Sequence, residues 1–313
     1  MKKIVRPIVV ATMLLGLVSK QVYAIDTTAI NEKWGKPTVV YGGGLNDQQI
    51  KETSKLLGIK DENTVTTTKA TGEDLVKYLG AGEANTSVMI SSVMVQKRNK
   101  GEGVKVHIAT PKNITLVTSE QYANAAITAG VADAEIEVAA VSKVTGESAL
   151  TGVYKAFEAN GVVLDGKRTA VAQQELELTN QIAQEQSKEK GFDAAKLDQA
   201  MIDIKKALAE IKEKQGQVAT KEDVERIVNE ALKKYGLDKV ISPTQVNNII
   251  QFALSYQQTS AIDSKQVLEQ LNSLSNTVKG KIGQLVDQAN REGWLDKIVA
   301  FFKEIFNAIF SSK

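Results

Sequence analysis

No cysteine occurs among the 313 residues, so disulfides, thiolate metal sites and thiol nucleophiles are all excluded. Histidine is nearly absent as well: His107 stands alone, and one imidazole cannot supply a His-rich zinc site. An excess of one charge is also missing, with 39 Lys and Arg against 37 Asp and Glu. Four of the basic residues, Lys2, Lys3, Arg6 and Lys20, fall in the first 24 positions, which hold no acid, so the chain from Ile25 onward carries 35 against 37. Interspersed, near-neutral charge offers no electrostatic footprint for nucleic acid, and no such partner is expected. Aromatic residues make up only 5% of the chain, yet 42% of it is hydrophobic, enough to bury one or two cores.

What is present begins with a leader. Lys2, Lys3 and Arg6 precede an apolar run from Ile8 to Val18, and Val22-Tyr23-Ala24 presents small or aliphatic residues at the −3 and −1 positions of a cleavage site. The run is short for a bilayer span, and the pattern is that of a secretory signal peptide. Residues 1–24 are therefore expected to be removed on export. A secreted or extracytoplasmic location, associated with the cell envelope, follows from that expectation.

Composition shifts near residue 160. In 25–160, short β-branched stretches alternate with helical ones. Strands are expected at 37–41, 63–69, 87–97, 104–109 and 134–141, and helices at 47–57, 73–79, 118–129 and from Thr145 on. Gly58, Gly80 and Gly130 stand where helices stop. "RNKGEG" between the third and fourth strands reads as a hairpin turn. In the fifth strand Ala134, Ile136, Val138 and Ala140 alternate inward, with Glu135 and Glu137 outward. In 161–313 the pattern is almost wholly helical. Leu197, Met201, Ile204, Leu208 and Ile211 recur at heptad spacing, Thr220 with Asp223 approximates a capping box, and Ser242-Pro243-Thr244-Gln245 is a fuller helix start. A long helix over 263–290 carries Val267, Leu271, Leu274, Val278, Ile282 and Leu285 at three-four spacing. The fold class expected is α+β: an N-terminal mixed sheet with packed helices (25–160), followed by an all-helical domain (161–313) ending in an aromatic amphipathic helix.

"TVVYGGGLNDQQIKETSKLLGI", "NAAITAGVADAEIEV", "TGESALTGVYKAFE" and "ISPTQVNNIIQFAL", in this order and spacing between the leader and the aromatic end, resemble domain of unknown function 1002. That family comprises secreted proteins of Gram-positive bacteria. The resemblance implies this location and architecture, and it implies no activity and no catalytic residue.

Each motif with a chemical look has a plainer reading. "VVYGGGLNDQQIKE" sets a glycine run between strand and helix, but Asp47 stands where the third glycine of a dinucleotide loop should be and no P-loop Lys follows. A tight turn and helix cap is the better account. "GESAL" places Gly146-x-Ser148 between strand and helix, but Leu150 replaces the second glycine of a nucleophile elbow and His107 precedes the serine instead of following it. His107 alternates outward beside Lys105. Glu135 and Glu137 share one strand face, a carboxylate pair suited to metal or acid–base work or an ordinary polar face. Catalytic, cofactor and metal residues are accordingly assigned to none, and the chain leans away from being an enzyme.

The last segment, "WLDKIVAFFKEIFNAIF" (294–310), concentrates four of the seven phenylalanines and one of two tryptophans. Two adjacent stripes, Ile298/Phe302/Ile305/Ile309 and Leu295/Val299/Phe306/Phe310, make an apolar face wider than one helix neighbour requires. Either several helices enclose it, or Trp294, Phe301, Phe306 and Phe310 contact a membrane surface or a protein partner. The function expected is a non-enzymatic binding or interaction module of the envelope. The alternatives are a carboxylate-dependent hydrolase acting on cell-wall material and a membrane-associating protein.

Overall fold

The computed structural model describes residues 34–80 and 83–282. The leader and the aromatic segment with Trp294, Phe301, Phe306 and Phe310 lie outside the described residues, as does the end of the helix expected over 263–290.

The chain is an α+β protein. Its strands are β1 (Thr38–Gly42), β2 (Thr66–Ala70), β3 (Ser92–Lys97), β4 (Val104–Ile108) and β5 (Ala134–Ala139). Four helices interleave with them: α1 (Asp47–Leu56), α2 (Gly72–Leu79), α3 (Ser119–Ala129) and α4 (Ser148–Ala159). Five more follow: α5 (Gly166–Gln186), α6 (Ala194–Gln215), α7 (Lys221–Lys234), α8 (Pro243–Tyr256) and α9 (Lys265–Ile282). Caps mark several of the starts. Asn46, Thr71, Thr118, Thr220 and Ser242 each close a reciprocal capping box with the residue three positions on. Thr145 is not the cap of α4, contrary to expectation. That helix starts at Ser148 with Glu147 in the cap position and no side-chain cap bond, while the Thr145 hydroxyl donates to the Glu147 carboxylate at 3.2 Å.

The sheet is mixed, in the order β2-β1-β3-β5-β4. β1 pairs parallel with β2 and antiparallel with β3, and β5 pairs antiparallel with β3 and parallel with β4. The hairpin expected between β3 and β4 is therefore wrong, because β5 lies between them. The intervening turn is held by the start of β5 instead of by a β3–β4 ladder. Asp133 Oδ1 accepts the amides of Gly101 and Gly103 at 2.9 and 3.0 Å, and Ala134 N donates to Gly103 O at 3.0 Å. A loop that crosses a neighbouring strand's end must span two strand spacings, about 10 Å. Six residues cover this easily, and nothing in their composition distinguishes them from a hairpin loop.

Strand alternation gives the sheet two faces. Val40, Val93, Val95, Ile136 and Val138 share the face that α3 and α4 cover. The opposite face carries the row Val39–Met94–Glu137–His107. Its β1 half packs beneath α1, where the Tyr41 hydroxyl meets Ser54 Oγ at 2.7 Å. Beyond the sheet, α5 packs on α2, α3 and α8, and α6 on α7 and α9. The heptad stripe of α6 is buried throughout, as are Val267, Leu271, Leu274, Val278 and Ile282 of α9. One cluster of buried side chains runs from Val40 of the sheet to Ile282 of α9, across residue 160.

Candidate functional site

The glycine run after β1 is occupied by the fold's own backbone. A Cβ on Gly42 would come within 2.2 Å of Met89 O, one on Gly43 within 2.7 Å of Ala70 O, and one on Gly44 within 2.6 Å of Ser87 O. The amides that a phosphate would need are committed: Gly43 N donates to Ala70 O at 2.8 Å and Gly44 N to Met89 O at 3.0 Å. Three side-chain-free residues allow the segment 86–91 to cross over the end of β1. Ser148 and His107 are not brought together, since α4 packs on the sheet face opposite the one that carries His107.

His107 and Glu137 do meet. They are register partners on β4 and β5, with Nδ1 to Oε1 at 3.3 Å. The expectation that Glu137 points into solvent is corrected: its side chain is 5% exposed, while that of His107 is 43% exposed. β5 is an interior strand and carries β3 and β4 on either side, whereas β4 is the sheet edge. Burial pushes the Glu137 carboxyl up to about 7. Glu135, two residues earlier on the same face, is held by the Arg98 guanidinium and so does not join the pair.

A second ionic cluster, which the sequence did not suggest, sits where α5 and α6 meet α3. Lys205 and Glu175 are 0% and 2% exposed, with Nζ to Oε1 at 2.7 Å. Lys205 also donates to Thr128 Oγ1 at 2.9 Å and Asn124 O at 3.2 Å, and the Thr128 hydroxyl donates to the other Glu175 oxygen at 2.7 Å. Burial lowers the Lys205 pKa, and Glu175 opposes that effect. All three Lys205 donors are used, so the cluster offers nothing to a ligand. It joins three helices.

The remaining feature is a cleft of about 410 Å3 between the β3–β4 loop and the first turns of α9, continued along β4 and α3 by a smaller cavity of about 120 Å3. Asp133 shapes its loop wall. Among the described residues it is the one non-glycine with a left-handed backbone, at φ 49°, and its two bonds to the Gly101 and Gly103 amides hold the loop in place. A Cβ on Gly103 would stand 3.9 Å from Ser273 Oγ, so the loop faces that helix position. The helix wall is Lys265, Gln266, Glu269, Gln270 and Ser273. Gln270, 7% exposed, donates through Nε2 to Val131 O at 3.4 Å. Since a carbonyl only accepts, that bond fixes which end of the amide is which. The other end, Oε1, has no hydrogen-bond partner among the described residues. In the sequence these α9 residues look like the solvated side of an amphipathic helix, and only the loop opposite makes them a wall. Among the described residues no three His, Cys, Asp or Glu side chains gather as metal ligands, and no helix is long and apolar enough to cross a membrane.

Fold and site together define an α+β protein with a polar cleft at one edge of its sheet, its glycine and serine motifs serving as turns and helix starts. The chain belongs to the family described as Protein of unknown function (DUF1002), whose pattern matches residues 41–274. It is similar to the Uncharacterized protein YpuA of Bacillus subtilis (strain 168), with 30% identity over 320 residues and 99% of each chain covered. No solved structure matches it.

Proposed function

We propose that this chain is an exported, non-enzymatic binding module of the cell envelope, and that its ligand site is the cleft between the β3–β4 loop and α9. The observation that carries the reading is the construction of that cleft: one wall held by Asp133, the other bearing a buried glutamine with an unpartnered oxygen. Its volume falls in the range of small-ligand pockets, and its lining residues, Lys100, Asp133, Lys265, Gln266, Glu269 and Gln270 among them, carry polar ends on apolar stems. Export rests on the leader pattern at residues 1–24. The test is co-sedimentation of the chain with insoluble cell-wall material, wild type beside Ser273→Trp, which places an indole in the cleft from an exposed position. Binding lost in the variant with an unchanged melting curve supports the reading; equal sedimentation of both proteins refutes it.

The hydrolase alternative is favoured by one observation, the His107–Glu137 contact with its carboxyl raised to about 7, suited to proton transfer near neutrality. Release of soluble fragments from wall material by wild type, but not by Glu137→Gln, would establish it in place of the binding reading.

A further inference from the structure

We propose that the outer edge of β4 takes an extended peptide of alternating acidic and apolar residues as a further strand of the sheet, an inference that rests on the cleft being the ligand site, because that edge forms its continuation. β4 ends the sheet and pairs on one side only, with β5. The direction of its backbone groups follows from two bonds. Gly103 O accepts from Ala134 N at 3.0 Å, and Ala109 N donates to Val138 O at 2.8 Å. Since these groups alternate along a strand, Gly103, Lys105, His107 and Ala109 turn theirs toward β5, and Val104, Val106 and Ile108 turn theirs outward. Among the described residues nothing bonds to those outward N–H and C=O groups. Val106 and Ile108 are half-buried and Lys105 is exposed, so solvent reaches the edge. An unpaired edge without proline is a template for another strand, in which main-chain bonds supply affinity and side chains supply selectivity.

The side chains of β4 decide what kind of strand fits. On the face toward α3, Val104 and Val106 line the smaller cavity with Leu274 and Thr277 of α9, and its 120 Å3 leaves space for an aliphatic side chain. On the other face stand His107 and Lys105, and Lys105 makes no ion pair among the described residues. The inner edge of β4 already meets a strand of this composition. In β5, Glu135 lies opposite Lys105, Ile136 opposite Val106 and Glu137 opposite His107. Glu135 is held by Arg98 instead, which leaves the Lys105 charge for the outer side. Carboxylates opposite Lys105 and His107, with aliphatic side chains opposite Val106 and Ile108, would repeat on the outer edge what β5 offers the inner one. A second copy of the chain is a poorer match. Antiparallel pairing of two β4 strands centred on Val106 sets Lys105 against the partner's His107, with no carboxylate on either edge.

The test is isothermal titration of the full chain with acetyl-Ala-Glu-Ile-Glu-Val-amide, the β5 pattern with capped ends. Two analogues carry N-methyl groups, one on both glutamates and the other on the isoleucine and valine. Each loses one alternate set of amide donors and keeps every side chain and charge. The parent should bind, and one analogue should bind about tenfold or more weaker while the other matches the parent, the weaker one reporting the direction of the strand. Exchanging both glutamates of the peptide for lysine should weaken it severalfold. Lys105→Glu, at an exposed position, should reverse that preference with no change in melting temperature. Val106→Pro, which removes an outward N–H and no ladder bond, should abolish binding. If circular dichroism shows that variant unfolded, the methylated peptides decide. Equal affinity for the parent and both analogues, no heat from the parent, or a charge preference unmoved by Lys105→Glu would overturn the proposal. So would a wild-type dimer that Val106→Pro dissociates, which would give the edge to a second copy. Ser273→Trp separates this failure from that of the wider reading. If it abolishes wall sedimentation while methylation has no effect, the cleft remains the ligand site and strand addition is wrong. If it changes neither sedimentation nor peptide affinity, both fall.

Discussion

Two pairs of a carboxyl with a nitrogen group, Lys205–Glu175 and His107–Glu137, one on each side of residue 160, show what burial does to neighbouring polar partners. Lys205–Glu175 is closed at 2.7 Å, with every ammonium proton placed and both side chains out of solvent. His107–Glu137 is looser at 3.3 Å, and its imidazole is 43% exposed. The first pair cannot titrate without opening the junction of three helices. The second pair can exchange protons with water. A buried ion pair adds little net stability over a well-packed apolar one, but losing one partner is severe because the other charge is stranded. An edge pair has solvent to fall back on.

The largest effect should therefore come from the closed pair. Lys205→Met should cost about 3–5 kcal/mol in denaturant melts, because Glu175 would be left buried with only Thr128 to donate to it. Adding Glu175→Gln should recover a large part of that loss. A single-variant cost under about 1 kcal/mol would mean that water reaches the junction, and the contrast between the two pairs would collapse.

The edge pair should show itself through pH. Its carboxyl binds a proton more tightly folded, at about 7, than unfolded, near the ordinary 4.5, so its contribution to stability is fully present below the lower value and is lost as pH rises through the higher. The slope should lie between about pH 4.5 and 7 and total about 3 kcal/mol, an order-of-magnitude figure. Glu137→Gln should flatten the slope and leave the variant the more stable protein at pH 8. An unchanged slope in melts across that window would assign it to another group.

A smaller effect sharpens the picture of the closed side. The Tyr256 hydroxyl is buried beside Lys205, whose Nζ stands 5.7 Å from the ring centroid, and it has no hydrogen-bond partner among the described residues. Tyr256→Phe keeps the ring and removes a polar group that gains nothing there. Stability should hold or rise by up to about 1 kcal/mol, read as a higher melting temperature. A loss above about 1 kcal/mol would show that the hydroxyl has an acceptor or a bridging water.

The smallest stability effect is expected outside the described residues. If Phe306 and Phe310 meet a membrane or partner, Phe306→Ser with Phe310→Ser should change stability within about 0.5 kcal/mol while abolishing liposome flotation or self-association. Were they enclosed by helices, the same pair would cost several kcal/mol, nearer the scale of about 3–5 for a truncated core Phe.

The elements were legible because their signals are local. Periodicity, capping boxes and left-handed glycines act within one turn of helix, and α3, α7 and α8 stand within a residue or two of where those signals put them. The order of the strands was not legible. "RNKGEG" satisfies the chemistry of a hairpin, but β5 pairs with both β3 and β4 and so lies between them, while Asp133, thirty residues away, takes two amides of the loop. The same residue shapes the cleft, so the site was missed for the same reason as the topology.

By itself the sequence determined which chemistries are absent, since no arrangement of a chain without cysteine and with one histidine can supply thiolates or a His-rich zinc site. It also determined the family and the order of helices and strands, which are written in neighbouring residues, although β3, expected from 87, starts at Ser92, and α4, expected from Thr145, starts at Ser148. Only the tertiary structure decided that Glu137 is buried, that Lys205 finds Glu175, and that Gln270 faces a loop from the far side of the chain. Burial and the pairing of charges depend on what lies across an interface, and residues distant in the chain supply it.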